Sequence, residues 1–294
     1  MSGRSLAGLG TALVTPFTRE GRLDENALRG LVRRQVQAGV DVLVPCGTTG
    51  ESATLSQDEQ ARVIAISLEE SSGRAVLAGA GSNDTRQAVE KARAMAALGA
   101  HGVLSVGPYY NKPTPEGFYR HFAAVADASA VPVVVYNVPG RTGSNIDTQT
   151  LLRLAEHPNV GGVKEASGNI GQVMELLRDR PQAFLVLSGD DAVTLPYMAL
   201  GADGVISVVA NQAPGLMGDL VRACARGEFA AGRAHHAKLL RLMSLNFVES
   251  NPIPVKAALA LMGLCEEVVR LPLVPASEAT RDAMQGALRE LGLL

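Results

Sequence analysis

The chain has 294 residues, 47% of them hydrophobic, and a formal net charge of -2. That is enough to bury a sizeable core, as one large α/β domain or two smaller ones. Lys/Arg and Asp/Glu are spread along the chain, which excludes a nucleic-acid or membrane-surface footprint, and no apolar run approaches the roughly 20 residues of a membrane span.

Eight short apolar runs follow in order: "GTALVTPF", "VDVLVPCG", "RAVLAGAG", "HGVLSVGP", "VPVVVYNVP", "VGGVKEAS", "AFLVLSGDD" and "DGVISVVAN". They are apolar nearly throughout, the pattern of parallel strands buried on both faces. Stretches with helical spacing lie between them. Ser56 and Glu59 form a capping box, Asp84 opens another helix, and Pro115 suits the first turn of a third. Gly39, Gly99 and Gly201 precede strands and suit the left-handed position that ends a helix. The pattern predicts an α/β fold, a (β/α)8 TIM barrel, over residues 1–226. A small C-terminal helical extension is predicted over 227–294. A doubly wound open sheet is the alternative, and the lack of a GxGxxG fingerprint disfavours it.

The N-terminal "MSGRSLAGLG" has too few apolar residues for a signal peptide. Cys46, Cys224 and Cys265 are far apart and odd in number, which predicts free thiols in a reducing compartment, the cytoplasm by default.

In a TIM barrel the active site lies at the C-terminal strand ends. Those ends offer "CGTTGES", "GPYYNKP", "YNVPGRTG", "KEASG", "SGDD" and "SVVANQ". None of the five histidines falls at a strand end, which argues against a metal-dependent aldolase. His235 and His236 read as surface residues. "SGDD" is acidic where a phosphate loop would sit, so a phosphorylated substrate is not expected.

Lys164 terminates a strand. Lys91 and Lys238 read as solvated mid-helix residues, Lys112 lies in a loop, and Lys256 falls on a late helix. A free lysine is only about 0.04% neutral at pH 7. Burial at the barrel mouth lowers a lysine pKa and frees the amine to attack a carbonyl. A lysine paired with a carboxylate such as Asp190 fits the spacing equally well. Alternation sends Lys164 to the opposite face from Val163 and Glu165. Tyr136 closes the preceding strand, where a phenol can relay protons or simply fill the core. Thr48 and Thr49, between glycines, suit an anion nest or an ordinary loop. Arg141 suits a carboxylate or a surface ion pair. Asp190 and Asp191 suit caps of the next helix.

"GTTGES", "PYYNKP", "YNVPGRTG", "GGVKEASGN", "LSGDDA", "GVISVVAN" and "FVESNPIPVKAAL" occur in this order. In this the chain resembles the pyruvate-dependent class I aldolase/lyase family that includes N-acetylneuraminate lyase. Within it, the chain is most similar to the branch that condenses pyruvate with aspartate 4-semialdehyde. The resemblance runs from near Leu9 to the C-terminus. It implies a Schiff base between Lys164 and pyruvate, and a proton relay of Thr48, Tyr136 and Tyr110, with Tyr110 entering from a neighbouring subunit. It implies that the Thr48 and Thr49 amides hold the pyruvate carboxylate, that Arg141 holds the semialdehyde carboxylate, and that the main chain of Gly189 and Ile206 lines the site. No metal or organic cofactor is implied, and the implied assembly is a dimer or dimer of dimers.

Members inhibited by lysine carry a glutamate and histidines where this chain has Gln87, Gln57 and Gln60. Ser52, Ala53, Asn83 and Tyr109 match them. Weak or absent lysine feedback is therefore expected. The rival readings are a sister lyase (N-acetylneuraminate lyase, or a 2-keto-3-deoxy sugar-acid aldolase or dehydratase) and a non-catalytic pyruvate-binding regulatory paralogue.

Overall fold

Eight strands close into one parallel barrel in chain order, β1 pairing with both β2 and β8. They are β1 (Gly8–Ala12), β2 (Val42–Val44), β3 (Ala75–Gly79), β4 (Gly102–Val106), β5 (Val133–Asn137), β6 (Val160–Glu165), β7 (Leu185–Ser188) and β8 (Gly204–Ser207). The structure, a computed structural model, describes residues 6–294; residues 1–5, where part of the leader reading falls, lie outside it. The barrel predicted from the eight apolar runs is present. The first strand starts two residues before "GTALVTPF" and ends at Ala12, where the chain turns away from the barrel.

The helices are α1 (Glu25–Gln37), α2 (Gln57–Glu69), α3 (Thr85–Ala97), α4 (Pro115–Ala128), α5 (Pro139–Thr142), α6 (Thr148–Ala155), α7 (Ile170–Asp179), α8 (Thr194–Ala199), α9 (Pro214–Ala225), α10 (Phe229–Leu245), α11 (Ile253–Leu261) and α12 (Glu278–Glu290). Ser56 and Glu59 make the reciprocal capping box, Asp84 caps α3, and Pro115 is the first residue of α4. Gly39, Gly99 and Gly201 have φ of 79°, 99° and 105°. Each lets a helix stop in the left-handed region without the steric cost a side chain would bring.

Strand alternation divides the core into two layers. Val44, Leu104, Val134, Tyr136, Leu187 and Ile206 cluster inside the barrel. Val103, Val133, Val135, Val163 and Val186 point outward against the helices. Each such buried aliphatic side chain contributes about 1.5–3 kcal/mol. The last three helices do not form a separate core. Leu239, Leu242 and Met243 of α10, Ala258 of α11 and Met284 and Leu288 of α12 share a cluster with Val205 and with Met217 and Leu220 of α9. Among the described residues, no helix is long and apolar enough to cross a membrane.

Candidate active site

The ends of β5 and β6 bring two side chains together. Tyr136 is registered with Lys164, and registered residues of a parallel pair face the same way. Both are only 6% exposed. Lys164 Nζ lies 4.1 Å from the centroid of the Tyr136 ring. Asp190 does not take up the lysine; its Oδ1 accepts from the Ala192 N–H at 2.9 Å.

Alternation sends Glu165 to the outer face, as expected, and there it braces the strand ends. Its Oε2 accepts from Asn137 Nδ2 at 3.0 Å and its Oε1 from the Ser167 N–H at 2.6 Å. Asn137 Oδ1 in turn accepts from the Ile146 N–H at 3.0 Å. Burial pushes the Glu165 carboxyl above its ordinary range, opposed by the bonds from Ser167 and Asn137. Gly189 backs the lysine. A Cβ there would lie 2.7 Å from Ala166 Cβ and 3.2 Å from Lys164 Cε, so a side chain would press on the lysine stem.

The turn after β2 forms the facing wall. The Gly50 N–H donates to Gly47 O and the Glu51 N–H to Thr48 O, both at 3.1 Å. Cys46 and Glu51 take left-handed φ of 56° and 51°, which curls the chain tightly around the threonines. Among the described residues, no protein carbonyl takes the Thr48 or Thr49 N–H, so both remain available to an anion. Gly79 allows the turn to sit this low, since a Cβ there would fall 1.9 Å from Cys46 O.

A cavity of about 350 Å³ lies between the two walls, lined by Thr48, Lys91, Tyr109, Tyr136, Arg141 and Asn251, among others. Arg141, on α5, is exposed, and its Nη2 donates to Asn251 O at 3.4 Å. Asn251 Nδ2 donates to Thr49 Oγ1 at 2.9 Å, and its own Oδ1 is buried without a partner among the described residues.

Thr48, Tyr136 and Arg141 thus share the cavity. Lys164 and Gly189 adjoin it through Tyr136, and Thr49 through Asn251. Ile206 is buried in the same inner cluster as Tyr136. Tyr110 stands apart, 90% exposed, with a left-handed φ of 75°. Of the residues matched to the lysine pocket, Ser52, Ala53, Gln60 and Tyr109 line this same cavity, whereas Gln57, Asn83 and Gln87 do not.

Three readings are corrected. Lys91 is not freely solvated; it is half-buried and lines the cavity, because α3 turns that face toward the β2 turn. Lys256 is on a late helix as expected, and there it is wholly buried in an ion pair. Asp190 and Asp191 do not cap α8, whose N-terminus has no side-chain cap. Asp191 Oδ2 instead accepts from the N–H groups of Val208 at 3.0 Å and Val209 at 2.8 Å, holding the chain beyond β8. His235 and His236 are half-buried, and His236 Nε2 lies 2.7 Å from Ala192 O. Asn251 and Glu51 were missed as site residues, although both fall inside quoted motifs.

The model of the dihydrodipicolinate synthetase family matches residues 5–291. The chain belongs to that family. It is 53% identical to the 4-hydroxy-tetrahydrodipicolinate synthase of Chloroherpeton thalassium over 296 residues, covering 100% of this chain and 98% of the relative. Its structure is similar to that of the dihydrodipicolinate synthase of Thermotoga maritima, with a TM-score of 0.96 at 46% identity, covering 98% and 99% of the two chains. It is also similar to the chloride-inhibited dihydrodipicolinate synthase of Acinetobacter baumannii complexed with pyruvate, with a TM-score of 0.95 at 40% identity, covering 98% and 99%.

Proposed function

We propose that this protein condenses pyruvate with L-aspartate 4-semialdehyde to 4-hydroxy-tetrahydrodipicolinate, in diaminopimelate and lysine biosynthesis, through a Schiff base on Lys164. The observation that carries the chemistry is a buried lysine beside Tyr136 at two registered strand ends, next to a cavity. The Acinetobacter neighbour complexed with pyruvate and the relatives' shared name support the substrates. The sister lyases and the non-catalytic paralogue are not favoured by these relatives.

In this reading Lys164 Nζ attacks the ketone carbon of pyruvate and water leaves, giving the imine. Tyr136, Thr48 and Tyr110 move the protons between carbinolamine, imine and enamine. The free Thr48 and Thr49 N–H groups seat the pyruvate carboxylate, beside the Gly189 and Ile206 main chain. Arg141 holds the semialdehyde carboxylate. Tyr110 enters a neighbouring subunit's site, in a dimer or dimer of dimers, a reading its exposure supports. Residues 1–226 act as the catalytic barrel and 227–294 as its extension, in the cytoplasm.

Borohydride with pyruvate should add the reduced pyruvyl mass at Lys164, in the wild type and equally in Arg141→Ala. Labelling at another residue, or full activity with no label, would sink the reading. Lysine feedback is weak or absent, because Gln87 offers no charge to a ligand ammonium. Losing a charge-assisted bond costs about 1.5–3 kcal/mol, roughly ten- to a hundredfold in affinity. Half-inhibition of the initial rate at submillimolar lysine would contradict this.

A further inference from the structure

One fully buried charge pair plays no part in the chemistry above. The Lys256 side chain, on α11, is 0% exposed and that of Glu51 is 1% exposed. Lys256 Nζ donates to Glu51 Oε1 at 2.6 Å and to Thr15 O at 2.8 Å. It also sits 4.2 Å from the centroid of the Phe17 ring. The second oxygen of the carboxylate is satisfied too, since Glu51 Oε2 accepts from the Arg270 N–H at 3.0 Å. Thr15 Oγ1 donates to Gly50 O at 2.7 Å, so the segment that receives the lysine is bonded to the same turn.

Burying an ion pair is unfavourable unless its geometry and remaining hydrogen bonds are good, and it often gives no more stability than an apolar pair of the same shape. What such a pair does give is a fixed geometry. Burial drives the Lys256 pKa down, and the Glu51 carboxylate opposes that shift. Glu51 itself has a left-handed backbone and closes the Thr48–Thr49 turn. A side chain there with nothing to hold would leave that backbone free to relax. Asn251, two positions before α11, grips the same turn through Thr49 Oγ1. The C-terminal extension therefore reaches the turn at Thr49 and at both oxygens of Glu51.

We propose that Glu51 and Lys256 are a positioning pair that fixes the Thr48–Thr49 turn, so that the C-terminal extension sets the pyruvate carboxylate seat. The proposal rests on the reading that this turn seats pyruvate. Neither residue touches the reacting atoms. Both act through the direction of the Thr48 and Thr49 N–H groups, so their loss is felt in pyruvate binding and imine formation. Recognition of the second substrate, on the α5 side, is largely spared.

The test compares Lys256→Met with Glu51→Gln/Lys256→Met. The single variant strands a buried carboxylate. The double variant keeps the shape, removes both charges and retains an acceptor for the Arg270 N–H. The double variant is expected to fold with a Tm close to wild type. Amide exchange over residues 46–56 should quicken by about tenfold or more, with β5 and β6 unchanged. The KM for pyruvate should rise about tenfold and that for the semialdehyde by less than about threefold. If the double variant does not fold, Glu51→Gln is read by the same measurements. Unchanged exchange over 46–56, or equal rises in both KM values, would overturn the proposal. If pyruvate fails to label Lys164 in the wild type, the functional reading falls while the exchange measurement still decides the role of the pair.

Discussion

The two walls of the cavity are held by different means. On the β5–β6 side the backbone ladder does the work, because register alone places Tyr136 beside Lys164. The ladder is then locked from behind by Glu165, Asn137 and Ile146. On the other side, no ladder runs through the turn after β2, which has short local backbone bonds and one bond each from Thr15 Oγ1 and the Gly79 N–H. Its shape depends on Lys256, 205 positions away along the chain, and on Asn251, 202 away from Thr49. A strand end inherits the precision of the sheet, whereas a loop needs side chains sent from elsewhere. The difference teaches why the barrel alone does not complete this site.

The comparison can be broken on the ladder side with Tyr136→Phe. The substitution removes one hydroxyl from a packed position and leaves the register intact. If Tyr136 relays protons, kcat should fall about 10²–10⁴-fold while the fold and exchange protection of β5 and β6 stay as in the wild type. A loss of less than about threefold would make Tyr136 a packing residue, and this wall would then supply only the amine.

A smaller effect sharpens the comparison at Asp191, a side-chain hold placed among strand ends. Burial pushes its carboxyl up to about 6, with Ser207 and the Val209 N–H opposing, and its Oδ1 has no partner among the described residues. The folded-state pKa lies above the ordinary 3.8, so the fold favours the protonated acid. Ionisation therefore costs nothing below about pH 4. The cost grows between about pH 4 and 6 and is complete above, at no more than about 3 kcal/mol. Asp191→Asn keeps an acceptor for Val208 and Val209 and cannot ionise. The Tm of the variant relative to wild type should rise with pH from 4 to 6 and then level off. A difference that stays constant over that range would show that the carboxylate is ionised in the fold at no cost.

Much of the first wall was legible in the sequence. Alternation along "GGVKEAS" assigns opposite faces to Lys164 and Glu165, and the strand-end rule brings Tyr136 to the same rim. The barrel itself follows from eight apolar runs punctuated by Gly39, Gly99 and Gly201. The second wall was not legible in this way. Lys256 looks like any helical lysine until its helix is found to be buried almost all round. A lone charge in "NPIPVKAALALMG" was the available signal, since a cation in so apolar a helix needs a partner. Nothing local pointed to Glu51 as that partner. Lys91 was misplaced because helical spacing alone does not say which face of α3 meets the β2 turn. Asp191 was misread because a carboxylate just before a helix caps it more often than it reaches across to the next strand.

Cys46 stands two residues from Thr48, and burial pushes its thiol up to about 12. At that value only about one molecule in a hundred thousand carries the thiolate at pH 7, and the thiolate is the form that alkylating agents and peroxides attack. The turn can therefore carry a sulfur atom close to the amides proposed to seat pyruvate and still be chemically durable. Iodoacetamide or mild peroxide should leave Cys46 unmodified in the folded protein, so that an oxidising episode spares the site even where more accessible thiols are lost.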